Sequence, residues 1–191
     1  LVPRFETEEL TEIVVNYLKN NNLENCSVLD LCCGSGCIGL GIKKHVKNAN
    51  VTLADVSKKA LKVAKKNATA NGLTVEIIKS NMFKNITTKF NVIVCNPPYI
   101  KNEDRKTLSK EVLNYDPNLA LFGGDTGLNF YNIIANNACV YLENGGALFL
   151  EYGENQENDI KNALKTHFKC IKIIKDYYGT NRFIFAIKKE I

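Results

Sequence analysis

A short apolar run in this sequence is followed closely by three glycines, and this combination limits the folds that the chain can adopt. Residues 27–31 are apolar enough for a strand buried on both faces, and residues 30–39 carry the spacing G-x-G-x-x-G. A helical pattern then continues to about residue 46. The order of strand, glycine-rich turn and helix predicts one unit of a parallel α/β sheet with a ligand bound at the turn.

The same alternation of strand and helix patterns continues along the chain. Further strands are predicted at residues 51–54, 75–78, 90–95, 147–151, 170–174 and 182–187. Further helices are predicted at residues 8–18 with Thr7 as the cap, after Ser57, at 128–142 and at 157–167. A short turn containing Gly179 joins the last two strands, so they should pair antiparallel. We expect an α/β fold in one domain of residues 1–191, with a mostly parallel seven-stranded sheet and one antiparallel strand near the C-terminus.

Composition and charge narrow the class of protein. The 191 residues are 45% hydrophobic and 24% charged, which is ordinary for a globular domain, and no stretch approaches the length of a membrane span. We therefore expect a soluble, cytoplasmic protein with no membrane partner. The net charge of +5 is spread over many lysines without a dense basic run, so it permits a nucleic-acid partner without requiring one.

The seven cysteines do not predict a metal site. Cys32, Cys33 and Cys37 lie close together, but no CxxC pair is present and the two histidines lie far from the three in sequence. The interpretation is that the thiols are reduced and act as small hydrophobic side chains.

Two carboxylates near the glycines indicate which ligand the turn would hold. Asp55, at the end of the second strand, could accept hydrogen bonds from both ribose hydroxyls of either a dinucleotide or S-adenosylmethionine. Asp30, just before the glycines, separates the two, because a carboxylate there would repel a pyrophosphate but favour a methionine ammonium and a sulfonium. S-adenosyl-L-methionine is the predicted cofactor. A nicotinamide cofactor, and glycines that serve only a tight strand-to-helix turn, are the alternatives.

A second motif lies at the end of the fourth predicted strand, where ligands of open α/β sheets bind. Asn96-Pro97-Pro98-Tyr99 leaves this strand through two prolines, which hold the backbone stiff and supply no N–H groups. The side-chain oxygen of Asn96 and the carbonyl of Pro97 could accept the two hydrogens of a planar nitrogen, with Tyr99 stacked on its plane. The motif predicts catalytic residues that present an amide or amine nitrogen for methylation.

Over almost its whole length the chain resembles the HemK-type protein-(glutamine-N5) methyltransferases, which modify the glutamine of the Gly-Gly-Gln loop in peptide-chain release factors. The resemblance is carried by residues 1–8, 30–39, Asp55, 96–99, 116–131, 150–156 and 179–182. It implies a Rossmann-like methyltransferase fold and a release factor as the protein partner. It also implies a catalytic domain that begins after the family's N-terminal helical domain.

The resemblance extends the predicted cofactor site beyond the two carboxylates. The opening segment should lie over the cofactor, and the residues after the third strand should hold its adenine. Asn81 stands where the family usually has an acid, and Cys32 and Cys33 stand where it often has a glycine and a small residue. The predicted cofactor-binding residues are Phe5, Thr7, Asp30, Cys32, Cys33, Gly34, Ser35, Gly36, Asp55, Val56, Asn81, Met82, Phe83 and Asn96.

Two other functions fit the motifs less well. A nucleic-acid amino-methyltransferase acting on adenine N6 or guanine N2 could use the same four residues 96–99, but it would need a flipped or single-stranded base and a basic groove. A non-catalytic nucleotide-binding protein would leave Asn96 and Tyr99 without a role.

Overall fold

The structure is a computed structural model that describes residues 4–108, 112 and 117–190. Its strands are β1 (Ser27–Leu31), β2 (Asn50–Asp55), β3 (Glu76–Lys79), β4 (Phe90–Cys95), β5 (Leu142–Glu151), β6 (Phe168–Lys175) and β7 (Asn181–Lys188). Its helices are α1 (Phe5–Asn20), α2 (Cys37–His45), α3 (Lys58–Ala70), α4 (Asn118–Leu121), α5 (Asn129–Tyr141) and α6 (Glu157–Leu164), with a 3₁₀ turn at Asn102–Lys106.

The strands form one seven-stranded sheet in the order β3-β2-β1-β4-β5-β7-β6. β3, β2, β1, β4 and β5 pair in parallel, whereas β7 is antiparallel to both β5 and β6. β7 is therefore the one reversed strand, and the predicted sheet is confirmed. The chain order reverses direction between β1 and β4, so the loops after these two strands flank the crevice where open α/β sheets bind ligands.

Both faces of the sheet are covered, as the apolar strands require. In β4, Val92 and Val94 face the layer of α1, α2 and α3, and Ile93 and Cys95 face the layer that contains α5 and α6. α1 anchors its layer through Leu10, Val14 and Leu18, which are fully buried. Each such side chain stabilises the fold by roughly 1.5–3 kcal/mol.

Two predictions were wrong: the cap of the first helix and the start of the fifth strand. α1 begins at Phe5, so Thr7 lies inside its first turn instead of capping it, and the Thr7 hydroxyl is used elsewhere. β5 begins at Leu142, directly after α5, because a register shift between Phe90 and Val92 lets the strand continue through the glycine turn. Ser57 does cap α3, where its hydroxyl accepts the Ala60 N–H at 3.2 Å.

The irregular stretch from 96 to 127, which begins with the Asn96–Tyr99 motif, contains local structure where it is described. The 3₁₀ turn, α4 and a parallel bridge between Ile100 and Phe122 lie within it. Leu1–Pro3 of the opening segment and Asp116, the first residue of the family-like block at 116–131, lie outside the described residues. In the part of the chain that is described, no helix combines the length and apolarity needed to cross a membrane.

Candidate active site

The glycine-rich loop connects β1 to α2 and brings the two close together. Gly36 precedes α2 with φ +80°, and a Cβ there would lie 3.0 Å from Leu53 and 3.2 Å from Ala64. Only glycine accepts both that backbone conformation and that approach. Cys32, which stands where the family often has glycine, also adopts a left-handed φ of +59°. A small non-glycine residue therefore fits here, at a conformational cost of roughly 1–2 kcal/mol.

Asp30 is completely buried beneath this loop. Its Oδ2 accepts the Gly39 N–H at 2.8 Å, which ties β1 to the first turn of α2. Its Oδ1 has no hydrogen-bond partner among the described residues. Burial raises the pKa of this carboxyl to about 7, against the Gly39 hydrogen bond and with a further upward contribution from Asp55. The loop therefore covers an acidic group with one unused oxygen.

Asp55 links the loop to the end of β2. Its Oδ2 accepts the Gly34 N–H at 2.9 Å, and its Oδ1 accepts the Ser57 N–H at 2.8 Å. Each carboxylate oxygen keeps a lone pair for a further donor. Among the described residues, and apart from Gly34 itself and its two neighbours in sequence, no atom lies within 4 Å of the place where a Cβ on Gly34 would be. Val56, which follows Asp55, is 38% exposed. The carboxylate is held rigidly beside open space.

The segment after β3 places its three predicted residues differently. Asn81 is exposed, whereas Met82 and Phe83 are buried. The Met82 sulfur lies 3.7 Å from the Cys32 sulfur, so this segment does reach the glycine-rich loop. The Phe83 ring stacks on Tyr141 at 4.9 Å between centroids, with the planes 4° apart, so one of its faces is already covered.

The Asn96–Tyr99 corner is held by its surroundings at the end of β4. Pro97 and Pro98 are buried, and Asn96 and Tyr99 are half-buried. The Gln156 amide donates to the Tyr99 carbonyl at 3.0 Å, and a Cβ on Gly153 would lie 2.8 Å from the Tyr99 ring. Burial, together with the nearby Glu151 carboxylate, raises the pKa of Tyr99, so its phenol stays neutral.

The glycines of the segment after this corner pack directly on its backbone. A Cβ on Gly123 would lie 2.6 Å from the Pro98 carbonyl oxygen, and a Cβ on Gly127 would overlap the Tyr99 carbonyl oxygen. The backbone N–H of Gly123 donates to the Ile100 carbonyl at 2.9 Å. The rigidity expected from two prolines is thus reinforced from a second segment.

Glu151 is a site residue that sequence reasoning did not single out. It ends β5, is 2% exposed, and accepts a hydrogen bond from the Thr7 hydroxyl at 3.1 Å. The Thr7 oxygen in turn accepts the Asn96 side-chain N–H at 3.3 Å. Burial raises the pKa of Glu151 to about 7. The Thr7 hydrogen bond lowers this pKa, Glu6 raises it further, and Arg182 and Asn96 also lower it. A charged residue at the end of an apolar strand was the available signal.

The structure brings most of the predicted residues to one edge of the sheet but leaves one apart. Gly34 and Asp55 are directly bonded, Cys32 contacts Met82, and Thr7 contacts Asn96. Ser35 is held through its carbonyl, which accepts the Asn67 side-chain N–H at 3.0 Å, and the Cys33 N–H donates to the Ala54 carbonyl at 3.0 Å. Phe5 instead is 74% exposed and lines a surface pocket with Tyr177 and Tyr178.

The thiols and acids show no metal centre in the part of the chain that the structure describes. No group of three or more His, Cys, Asp or Glu side chains is arranged there to hold an ion. Burial raises the pKa of Cys37 to about 11, and that of Cys33 further still, so both are neutral thiols.

Sequence comparison identifies one domain family and a set of close relatives. The family described as Methyltransferase small domain matches residues 6–125. A release factor glutamine methyltransferase of Chlamydia trachomatis serovar D is 40% identical over 97% of this chain and 63% of its own length. One of Thermodesulfovibrio yellowstonii is 40% identical over 100% of this chain and 69% of its own length. The chain thus spans slightly less than two thirds of the Chlamydia relative.

Solved structures share the fold at much lower identity. A methyltransferase of Pyrococcus furiosus aligns with a TM-score of 0.67 at 22% identity, over 93% of this chain and 83% of its own. The 16S rRNA N2 G1207 methyltransferase of Thermus thermophilus, in complex with AdoMet and guanosine, aligns with a TM-score of 0.71 at 20% identity, over 98% of this chain and 44% of its own. At such identities the likeness establishes the methyltransferase fold alone.

Proposed function

Because the chain belongs to the release factor glutamine methyltransferase family, we propose that it methylates the side-chain nitrogen of a glutamine with S-adenosylmethionine as the methyl donor. The target is the glutamine of the Gly-Gly-Gln loop in a peptide-chain release factor, and the reaction takes place in the cytoplasm. The observation that carries this proposal is the half-buried, rigidly held Asn96 at the end of β4, beside the loop after β1.

The residues of the loop fit the proposed cofactor. Asp55 offers both carboxylate oxygens beside the open space at Gly34, which suits two neighbouring ribose hydroxyls. Asp30 places an unused carboxylate oxygen under the same loop, which favours a ligand with a positive ammonium and sulfonium. When bound, S-adenosylmethionine would supply a methyl group on a sulfonium, so that the carbon–sulfur bond breaks as the nitrogen–carbon bond forms. No strong base is needed before attack, and the proton lost from the methylated nitrogen passes to water.

The corner after β4 fits a primary amide. The Asn96 oxygen and the Pro97 carbonyl accept the two N–H groups of the target, and the Tyr99 ring stacks on the amide plane. Presenting the target nitrogen to the methyl group in an orientation suited to attack would be the main catalytic task of these residues. A site built on these hydrogen bonds would reject a substrate without the NH₂ group by a large factor.

A labelling experiment tests the substrate directly. Tritiated S-adenosylmethionine is offered to the chain with a release factor, with the same release factor carrying Gln→Ala in the Gly-Gly-Gln loop, and with total RNA. We expect label in the unmodified release factor only. Label that persists in the Gln→Ala protein, or that appears only in RNA, would reject the proposed function.

A further inference from the structure

Three polar side chains from distant parts of the chain form a connected chain of hydrogen bonds beside the proposed glutamine site. Thr7 comes from the first turn of α1, Asn96 follows β4, and Glu151 ends β5. The Thr7 hydroxyl donates to Glu151 Oε2 at 3.1 Å, and Asn96 Nδ2 donates to Thr7 Oγ1 at 3.3 Å. Thr7 is 6% exposed and Glu151 2%, so water cannot readily replace either partner.

The donor-to-acceptor direction of these hydrogen bonds follows from the chemistry of the Glu151 carboxylate. An ionised carboxylate only accepts hydrogen bonds, so the Thr7 hydroxyl must use its single hydrogen on Glu151. The Thr7 oxygen is then left as an acceptor, and only the NH₂ side of the Asn96 amide can meet it. Because the amide is planar, the Asn96 oxygen must point to the opposite side.

We propose that Thr7 and Glu151 are positioning residues that hold the Asn96 amide with its oxygen facing the target nitrogen. The inference rests on the proposed function, since it assigns an acceptor role to Asn96. If the Asn96 amide were rotated by half a turn, its NH₂ group would face the NH₂ group of the substrate. Two donors would then oppose each other, and the glutamine could not be held for attack.

The backbone on either side of Glu151 is fixed as well. The Tyr131 hydroxyl donates to the Glu151 carbonyl at 2.9 Å, and Leu150 and Tyr152 are fully buried. The charged groups that influence the Glu151 carboxylate are Glu6 of α1 and Arg182 of β7. The carboxylate thus has a defined position from which to set the direction of the chain.

Matched variants separate this role from cofactor binding. Thr7→Val keeps the volume but removes the hydroxyl, whereas Thr7→Ser keeps the hydroxyl. Glu151→Gln keeps the shape but can either donate to Thr7 or accept from it, so it no longer fixes the direction. Assays are run at about pH 8, above the Glu151 pKa of about 7, so that the wild-type carboxylate is mostly ionised.

Three measurements are made on each variant. They are the calorimetric Kd for S-adenosylmethionine, the kcat for methylation of a release factor, and the ¹⁵N side-chain amide signals of Asn96 without ligand. We expect Thr7→Val and Glu151→Gln to lower kcat about ten- to a hundredfold, because a buried hydrogen bond is lost or reversed. Their cofactor Kd should stay within about twofold of wild type, and Thr7→Ser should behave like wild type.

Solvent exchange of the Asn96 amide protons tests whether Thr7 and Glu151 hold this amide, even if the proposed substrate is wrong. In wild type and Thr7→Ser, the Asn96 amide protons should exchange slowly with solvent, and in Thr7→Val and Glu151→Gln they should exchange faster. Unchanged exchange in a folded Glu151→Gln variant would overturn the inference, and so would an equal loss of cofactor binding. A wild-type chain that shows slow exchange but labels no release factor would reject the proposed function alone. Glu151→Gln decides the matter if Thr7→Val does not fold.

Discussion

The cofactor half and the target half of this site are held together in different ways. In the cofactor half, backbone N–H groups donate to two carboxylates, Gly39 to Asp30 and Gly34 to Asp55. The partners in these bonds are 9 and 21 residues apart in the sequence. In the target half, side chains bond to side chains, Asn96 to Thr7 and Thr7 to Glu151, across 89 and 144 residues.

This difference determines which substitutions disturb each half. A loop held by its own backbone tolerates small side chains, as the left-handed Cys32 shows. The Asn96 corner is held by hydrogen bonds among Thr7 of α1, Asn96 after β4 and Glu151 of β5. It depends on all three side chains, since an unpaired buried polar group is costly. Substitutions in the target half should therefore affect catalysis most, and substitutions in the cofactor half should affect ligand affinity.

Asn96→Ala should produce the largest effect and leave the cofactor half intact. Loss of one positioned hydrogen-bonding group at a reacting centre lowers kcat about 10²–10³-fold. Calorimetry should give an unchanged Kd for S-adenosylmethionine, and the exposed Asn137→Ala variant should match wild type in both measurements. If cofactor binding and transfer were lost together, the two halves would not be separable.

Asp55→Ala tests the opposite half. We expect the Kd for S-adenosylmethionine to rise about ten- to a hundredfold, because charge-assisted hydrogen bonds to the ligand and to Gly34 are removed. With saturating cofactor, kcat should recover to near the wild-type value. Asp159→Ala, which removes an exposed acid of α6, is the control. A kcat that stays low at saturation would show that Asp55 also acts in the target half.

Gly127→Ala tests how tightly the segment after the corner supports it. The residue has φ +72°, and a Cβ would overlap the Tyr99 carbonyl oxygen. Gly145 has nearly the same φ of +71° with open space around its Cβ, so Gly145→Ala isolates the conformational cost of about 1–2 kcal/mol. In urea unfolding, Gly127→Ala should lose about 1–3 kcal/mol more than this control. Equal losses of unfolding free energy in the two variants would mean that the Asn96–Tyr99 corner moves to accommodate the added methyl group at no cost.

Asp30→Asn should produce the smallest effect, visible as a change in pH dependence. Burial raises the pKa of Asp30 in the folded chain to about 7 from an ordinary value of 3.8, so the folded chain holds a proton that the unfolded chain releases. The stability from this group is complete below the unfolded pKa and is lost as pH rises through about 7. Between about pH 6 and 8, wild type should lose about 1 kcal/mol of unfolding free energy from this group.

Urea unfolding of wild type and of Asp30→Asn at about pH 6 and pH 8 checks this prediction. Asp30→Asn should show a correspondingly flatter profile, because its amide does not titrate. If the unfolding free energy changed equally with pH in wild type and Asp30→Asn, the buried carboxyl would not carry the proton.

The same contrast explains what could be predicted from the sequence. The strands, the sheet with its single reversed strand and the glycine-rich loop all follow from local apolar patterns and glycine spacing, which act over few residues. The contact between Thr7 and Glu151 could not be predicted in this way, because it joins the first turn of α1 to the end of β5, 144 residues away in sequence. Thr7 was accordingly expected as a helix cap, although the resemblance had already placed it over the cofactor.

Phe83 shows a second limit of local reasoning. Its position after β3 indicates an adenine contact, but whether its ring is available depends on Tyr141, which comes from α5 far along the chain. Stacking between the two rings is a tertiary choice that no pattern around residue 83 encodes. The roles of Phe83 and Phe5 toward the cofactor stay predictions.

Tandem mass spectrometry of a release factor incubated with the chain and S-adenosylmethionine identifies the atom that is methylated. The predicted result is one added methyl group on the side-chain nitrogen of the Gly-Gly-Gln glutamine, absent when Asn96→Ala replaces wild type. A methyl group on any other residue of the release factor would show that the target is not this glutamine, and a methyl group that still forms with Asn96→Ala at the wild-type rate would show that Asn96 does not hold the target.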